Sequence, residues 1–225
     1  AAYNAVDTAE QQSDVVTLIN GKAVENIARL SKRNGIFLIH YSSDYVFDGK
    51  KGGLYTEEDS PNPMNAYGRS KLAGEEAVQK HGGDFLLLRT SWVFGNGTQN
   101  FIYKLLQWAR KNSVIRLSSD EVSVPTGTSD LVSLTLSSHE KGLSGLYHCV
   151  NTDYASRYEW GRHVGSILPL EVLIIPVPMS TFPSPAPRPA FTAMSNARLQ
   201  QDLGVPIADW RSAVDRFFQE YPEGV

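Results

Sequence analysis

Hydrophobic residues along the chain follow two alternating patterns. Short continuous apolar runs predict buried strands, and these lie at 35–41, 85–88, 114–117, 145–150 and 170–178. Apolar residues recurring at helical spacing predict amphipathic helices, and these lie at 13–33, 65–81, 101–111, 128–138, 156–167, 195–203 and 209–220. Because strands alternate with helices over most of the chain, we expect an α/β fold built on a parallel sheet.

The helix predicted over 65–81 carries two residues suited to proton transfer. Tyr67 and Lys71 are four positions apart, so they lie on one helical face. A phenol titrates near ~10, and an ammonium group one turn away favours the phenolate and lowers that pKa. The spacing suits a tyrosine that exchanges a proton with a sugar or alcohol oxygen. Alone it is weak, because many solvated helix faces carry the same pair.

Two serines follow the strand predicted at 35–41. Ser42 and Ser43 stand where that strand ends. Ligands of open α/β sheets bind at the carboxyl ends of the strands, so a hydroxyl there is well placed for a substrate carbonyl. Trp92 follows the next strand in the same way and offers a ring for stacking, although a core tryptophan is an equal expectation.

Taken together, these motifs resemble the extended short-chain dehydrogenases/reductases, and in detail the dTDP-4-dehydrorhamnose reductase family. The matching segments are 1–3, 5–7, 9–10, 40–47, 65–75, 88–94, 124–126, 145–148 and 187–189. The resemblance therefore runs through nearly the whole chain, in order. It implies a Rossmann-like parallel sheet with a small C-terminal α/β substrate lobe.

The resemblance also implies an activity, which is reduction of the 4-keto group of a dTDP-deoxysugar by NADPH or NADH. In this reaction Tyr67 protonates the oxyanion, Lys71 lowers the pKa of Tyr67 and binds the nicotinamide ribose, and Ser43 hydrogen-bonds the carbonyl oxygen. The implied cofactor-binding residues are Ala1, Ala2, Tyr3, Ser42, Tyr67 and Lys71. The implied substrate-binding residues are Val6, Ser43, Asp44, Tyr45, Trp92 and Arg188, with Arg188 suited to a phosphate.

The sequence departs from the family pattern in two places. No G-x-G-x-x-G follows a predicted strand, although family members begin with such a phosphate-binding unit. We therefore expect roughly sixty residues of the dinucleotide-binding half to be absent, and residues 1–225 alone to bind NADPH poorly. Glu121 and Ser123 replace the Gln and Gly usual before Val124, which puts the fine geometry of a substrate-facing loop in doubt.

Three other kinds of function share parts of this motif set. Nucleotide-sugar 4,6-dehydratases carry Thr-Asp-Glu where this chain has Ser43-Asp44-Tyr45, and a tyrosine cannot do the acid–base work of that Glu. Dehydration is therefore disfavoured, whereas other nucleotide-sugar epimerases or reductases stay open. A non-catalytic nucleotide-binding subunit, resembling the regulatory subunit of methionine adenosyltransferase, shares much of this motif set and also stays open.

The composition limits the partners and the cellular location that can be expected. The 225 residues include 21 basic and 24 acidic side chains, a net charge of −3 with no basic cluster, so no nucleic-acid partner is expected. No apolar run is long enough for a membrane span, and the single Cys149 reads as a core residue. We expect a cytoplasmic enzyme that contains no metal, and a homodimer is compatible with the sequence.

Residues 1–95 are predicted as the remainder of the dinucleotide-binding domain. Residues 96–225 are predicted mainly as the substrate lobe, with some elements returning to the sheet.

Overall fold

A computed structural model describes residues 2–168 and 170–221. Within that part of the chain the strands are β1 Leu38–Ser43, β2 Phe85–Thr90, β3 Val93–Phe94, β4 Val114–Ser118, β5 Val122–Ser123, β6 Thr126–Gly127, β7 Gly145–His148, β8 Ala155–Ser156 and β9 Leu173–Val177. The helices are α1 Val6–Ala9, α2 Ser13–Thr17, α3 Ala23–Arg33, α4 Ala66–His81, α5 Phe101–Ala109, α6 Thr128–Glu140, α7 Arg157–Ile167, α8 Ala197–Leu203 and α9 Trp210–Glu220. A π-helical turn, Leu18–Lys22, joins α2 to α3.

A parallel three-stranded sheet in the order β1-β2-β7 organises the N-terminal half. Alternate residues of β2 point to opposite faces, as the pleat requires. Leu86 and Leu88 pack in a core with Leu199 of α8, whereas Phe85 packs with Val78 of α4. Helices therefore cover both faces of the sheet, as expected of a parallel sheet.

The C-terminal half has its own core. Trp160 of α7 and Trp210 of α9 are fully buried there, together with Leu105 of α5 and Leu117 of β4. Strand β4 pairs in parallel with β9, apart from the three-stranded sheet. Strand β7 returns to the three-stranded sheet. The predicted boundary at residue 95 stays a prediction.

The α/β class is confirmed, and most predicted elements lie within a few residues of their expected bounds. The first strand starts at Leu38 rather than residue 35, because the preceding helix is closed by a C-cap. Gly35 has φ +64°, and the Ile36 amide donates to the Ser31 carbonyl at 2.9 Å. The helix predicted over 195–203 begins at Ala197, with Asn196 at its N-cap position.

Strand β1 lies at an edge of the sheet formed by the described residues. Among the first forty residues, Leu18, Leu30 and Ile36 are each more than half exposed. None of the helices in residues 2–168 and 170–221 has the length and apolar character of a membrane span.

Candidate active site

Hydroxyl groups gather where β1 and β2 end side by side. The parallel register places Ser42 opposite Arg89 and Ser43 opposite Thr90. Ser42, Ser43 and Thr90 line a cavity of about 550 Å³, which Tyr67 and Lys71 reach from α4. The Ser42 and Thr90 hydroxyls are buried and find no hydrogen-bond partner among the described residues. Buried hydroxyls are normally paired, so these two are available to a ligand.

Helix α4 is placed by its first turn. The Asn65 side chain caps it by accepting from the Gly68 amide at 2.8 Å. A Cβ at position 68 would collide with the Tyr45 carbonyl oxygen, so the glycine lets the helix approach the loop after β1. This close approach brings Tyr67 beside Ser43.

Lys71 is held inside the protein. Its side chain is 4% exposed, and Nζ donates to the Tyr41 carbonyl at 2.6 Å. Burial lowers the pKa of Lys71 to about 8, while Glu75 acts against this shift. An ammonium group in such a dry place interacts strongly with a nearby ligand oxygen.

Tyr67 is also desolvated. Burial raises the pKa of Tyr67 to about 12, the Ser43 hydroxyl acts in the opposite direction, and the Asp44 carboxylate adds to the rise. The phenol is therefore held in its protonated form, as an acid requires. That Lys71 lowers this pKa stays a prediction, since its ammonium is engaged with the Tyr41 carbonyl.

The predicted cofactor residues near the N-terminus lie beside this cavity. Ala2 lines it, and Tyr3 is fixed by Asn20, whose amide donates to the Tyr3 carbonyl and accepts from the Tyr3 amide. Asn20 is 2% exposed, sits in the π-helical turn and also donates to Ser70 of α4. Asn20 is therefore a buried residue that links the backbone of Tyr3 to α4, rather than a solvated surface residue. Ala1 lies outside the described residues.

Most predicted substrate residues meet in a small adjoining cavity of about 150 Å³. Its lining consists of Asn4, Val6, Ser43, Asp44, Tyr45, Tyr67 and Trp92. The Tyr45 ring meets the Tyr67 ring edge-on, with centroids 5.9 Å apart. Burial raises the pKa of Tyr45 as well, so both phenols are neutral near pH 7.

A second large cavity, about 460 Å³, opens on the other side of Trp92. Its lining combines aromatic rings with cations, namely Trp92, Phe101, Trp108 and Trp160 with Lys104, Arg116, Arg157 and Arg188. Only Trp92 and Arg188 of this set were expected from the sequence. The others come from segments far apart in the chain, so no local motif marks them.

Trp92 forms a wall shared by both large cavities. It has φ 41°, an uncommon conformation for a non-glycine residue and one often seen at functional sites. The Arg157 guanidinium lies 3.5 Å from the ring centroid, and the Trp160 ring lies nearly parallel at 5.8 Å. Trp92 is thus half-buried and already stacked on Arg157.

Arg188 reaches the same cavity from the proline-rich segment 178–189. Its Nη2 pairs with Asp7 Oδ2 at 2.9 Å, next to Val6. Its Nη1 is buried and finds no partner among the described residues. Arg188 therefore keeps one unpaired donor for a ligand while Asp7 fixes its position.

The two residues that replace the usual Gln and Gly before Val124 both contact the site. Glu121 lies 3.5 Å from Nε of Arg157, and it is the carboxylate that lines the cationic cavity. The Ser123 hydroxyl donates to Asp44 at 2.7 Å.

A buried ion pair joins α4 to β2, and it was not predicted from the sequence. Arg89 of β2 forms two hydrogen bonds with Glu75 of α4, at 2.9 and 2.6 Å, and the two side chains are 2% and 0% exposed. Glu75 is one helical turn beyond Lys71. The pair fixes α4 to β2, the central strand of the sheet. It can be recognised only in the structure, where the two side chains are buried together.

Comparisons with known proteins show the family of the chain. The model of the RmlD substrate binding domain family matches residues 1–223. A dTDP-4-dehydrorhamnose reductase of Burkholderia thailandensis is 38% identical, over 95% of this chain and 78% of that protein.

Solved structures give the same result. A dTDP-4-dehydrorhamnose reductase from Clostridium acetobutylicum superposes with a TM-score of 0.95 at 29% identity, over 99% of this chain and 79% of that one. The enzyme of that name from Bacillus anthracis, solved in complex with NADP, gives a TM-score of 0.94 at 31% identity, over 98% and 78% of the two chains.

Proposed function

Because the chain belongs to the family of the RmlD substrate binding domain, we propose that it serves the NAD(P)H-dependent reduction of dTDP-4-dehydrorhamnose to dTDP-rhamnose. One observation supports this most strongly. Tyr67, Lys71 and Ser43 line one cavity, and Trp92 also lines a second, somewhat smaller cavity that is rich in cations and aromatic rings.

Tyr67 is the proposed acid. A nicotinamide cofactor bound beside Lys71 would supply a hydride for C4 of the sugar. As the carbonyl π electrons move to oxygen, the Tyr67 hydroxyl gives that oxygen its proton, and the phenolate later regains one from solvent. A pKa of about 12 keeps Tyr67 protonated until the oxyanion forms.

Lys71 and the two unpaired hydroxyls suit the nicotinamide end of a cofactor. Ser42 and Thr90 offer buried donors, and Lys71 adds a desolvated ammonium group. Ala2 and Tyr3 are the proposed neighbours on the same side, with Tyr3 held by Asn20. Either NADPH or NADH fits these groups, since none of them reads the 2′-phosphate. The related Bacillus anthracis structure contains NADP.

The nucleotide of the substrate is proposed to lie in the cationic cavity. Arg157, Arg188, Arg116 and Lys104 suit a diphosphate, because guanidinium and ammonium groups form charge-assisted hydrogen bonds with phosphate oxygens. The rings of Phe101 and Trp108 offer surfaces for a base. The 4-keto sugar would then lie past Trp92, near Val6, Ser43, Asp44 and Tyr45.

A non-catalytic role as a regulatory subunit is not favoured, because the matched relatives carry the reductase name. The cytoplasm is the proposed location, in keeping with such biosynthetic enzymes. A homodimer stays a prediction.

The function is tested with the complete gene product that contains this chain. It is incubated with dTDP-4-dehydrorhamnose and NADPH carrying deuterium at the transferable position of C4. We expect NADPH oxidation and deuterium at C4 of the sugar product, with Tyr67→Phe strongly impaired in both. If the parent protein consumes no cofactor with this sugar, the proposed function is wrong.

A further inference from the structure

The Arg157 guanidinium lies among three aromatic rings in the cationic cavity. Its Cζ is 3.5 Å from the ring centroid of Trp92, 5.3 Å from that of Phe101 and 5.8 Å from that of Trp160. A planar guanidinium stacks on aromatic faces, and these contacts limit the positions that it can take. Arg157 is also the first residue of α7, so the helix fixes its backbone. The side chain is therefore held in place although it is 22% exposed.

Glu121 is the carboxylate beside this guanidinium. Its Oε2 lies 3.5 Å from Nε of Arg157 and accepts from the Ser118 hydroxyl at 3.3 Å. Its backbone carbonyl accepts from the Arg157 amide at 3.3 Å. Glu121 and Arg157 are thus joined through both their backbones and their side chains. The Glu121 side chain is 13% exposed and lines the same cavity.

The position of Glu121 determines which nitrogens of Arg157 a ligand can use. Like charges repel, so a carboxylate in a cavity for a diphosphate weakens binding unless it does something else. The ion pair is made through Nε, and Nη1 and Nη2 form no hydrogen bond with residues 2–168 and 170–221. A guanidinium whose Nε is engaged can still give two hydrogen bonds to phosphate oxygens through its terminal nitrogens.

We propose that Glu121 is a positioning residue for nucleotide binding, which holds Arg157 against Trp92 with its terminal nitrogens free for the diphosphate. An arginine side chain loses conformational freedom when it binds a ligand, and a side chain that is ordered beforehand loses less. This gain exceeds the repulsion between Glu121 and the diphosphate. The inference rests on the proposed function, since it takes the cationic cavity as the site of the nucleotide.

The test is a cycle of dissociation constants for dTDP, measured by isothermal titration with the complete gene product. In the parent, Glu121→Ala should weaken binding about threefold, in keeping with the modest energy of a partly exposed ion pair. In Arg157→Met, the same change should strengthen binding about threefold, because it then removes only the repulsion. A residue that merely supports the fold would not reverse its effect in this way.

Two single variants separate the charge of Glu121 from its position. Glu121→Gln keeps an oxygen that can accept from Nε of Arg157 and removes the charge, so dTDP should bind at least as tightly as to the parent. Glu76→Ala removes a negative charge from an exposed position of α4 that lines neither large cavity, and dTDP binding should not change.

The cycle also distinguishes a failure of this inference from a failure of the proposed function. If Glu121→Ala changes dTDP binding in the same direction in both backgrounds, or in neither, the positioning role is wrong and the proposed function stands. If the parent binds no dTDP, the assignment of the cavity to the nucleotide is wrong, and the role of Glu121 is wrong with it.

A second measurement uses the unchanged protein and does not depend on the variants folding. In a crystal structure with dTDP, we expect Nε of Arg157 to stay beside Glu121, with Nη1 or Nη2 at hydrogen-bond distance from a phosphate oxygen. A guanidinium that has left Glu121 for the diphosphate, or that contacts no phosphate oxygen, contradicts the proposal.

Discussion

The two large cavities on either side of Trp92 differ in how far water is removed from their charged groups. On the Tyr67 side, Lys71 and Asp44 are 4% and 3% exposed. On the other side, Lys104 and Arg116 are exposed to solvent, and Arg157 is half-buried over Trp92. We refer to these as the dry end and the open end.

The difference indicates a division of work. In the dry end each protonation state is costly to change, so a few fixed groups can control where a proton goes. In the open end, solvent-exposed cations can attract and bind a diphosphate without strict geometry. We therefore assign the chemical step to the dry end and nucleotide affinity to the open end.

The largest expected effect concerns the support of the dry end. Arg89→Met leaves the Glu75 carboxylate buried without a partner, and we expect a loss of about 3–5 kcal/mol in the free energy of unfolding. Urea denaturation measures this. Arg211→Met is the matched control, because its pair with Asp153 is about half exposed, and it should cost no more than about 1 kcal/mol.

The double variant Arg89→Met with Glu75→Gln completes this comparison. It removes both charges, so it should be more stable than Arg89→Met alone. Equal stability of Arg89→Met and Arg211→Met would show that the dry end is not supported by this ion pair.

Next in size is the effect on the chemical step. In the complete gene product, Tyr67→Phe should lower kcat by about 10²-fold or more, a typical share for a positioned acid. The KM for the nucleotide sugar should change little, because the phenol does not contact the open end. Tyr147→Phe, whose hydroxyl pairs with Asp202 away from both cavities, is the control. A near-normal kcat for Tyr67→Phe would remove the assignment of Tyr67 as the acid.

The dependence of stability on pH should report the burial of His148, which lies beside Arg89 of the ion pair that supports the dry end. His148 is fully buried beside Arg89, and burial lowers its pKa from 6.5 to about 3. The unfolded chain therefore binds a proton that the folded chain rejects, so stability is lost as pH falls below ~6.5. We expect this residue to account for about 2 kcal/mol between pH ~6.5 and ~5.

Thermal melts of the parent and His148→Gln over that pH range check this. The variant should lose stability less steeply, whatever its stability at neutral pH. Parallel curves for the two proteins would mean that His148 is not held neutral in the folded state.

The smallest expected effect concerns the open end. Arg157→Met removes the charge over Trp92 and one candidate phosphate ligand, so the KM for the nucleotide sugar should rise about tenfold with little change in kcat. Arg162→Met is the control from the same helix, since Arg162 lies over Tyr158 at 6.0 Å and does not line either large cavity. A fall in kcat without a change in KM would move Arg157 to the chemical step.

The dry end was largely predictable from the sequence. Tyr67 and Lys71 share a helical face by their spacing, and Ser42 and Ser43 follow a strand whose apolar run is evident. Each of these two patterns lies within one short segment, so it can be recognised without knowledge of the tertiary structure. The fold class followed from the same patterns.

The open end was not predictable in this way. Lys104, Arg116 and Arg157 lie on α5, β4 and α7, and nothing in their local sequence marks them as neighbours. The same holds for the partners of Asp44, because Ser123 and Thr192 reach it across 79 and 148 positions of the chain. The π-helical turn that carries Asn20 was read as regular helix, since its apolar spacing fits either form.

The division between the two ends is tested most directly by the binding of dTDP, which has the nucleotide and diphosphate but no sugar. Isothermal titration of the parent, Tyr67→Phe and Arg157→Met gives three dissociation constants under one condition. We expect equal affinity for the parent and Tyr67→Phe, and about tenfold weaker binding for Arg157→Met. Unchanged binding by Arg157→Met together with weakened binding by Tyr67→Phe would place the nucleotide at the dry end and contradict this division of work.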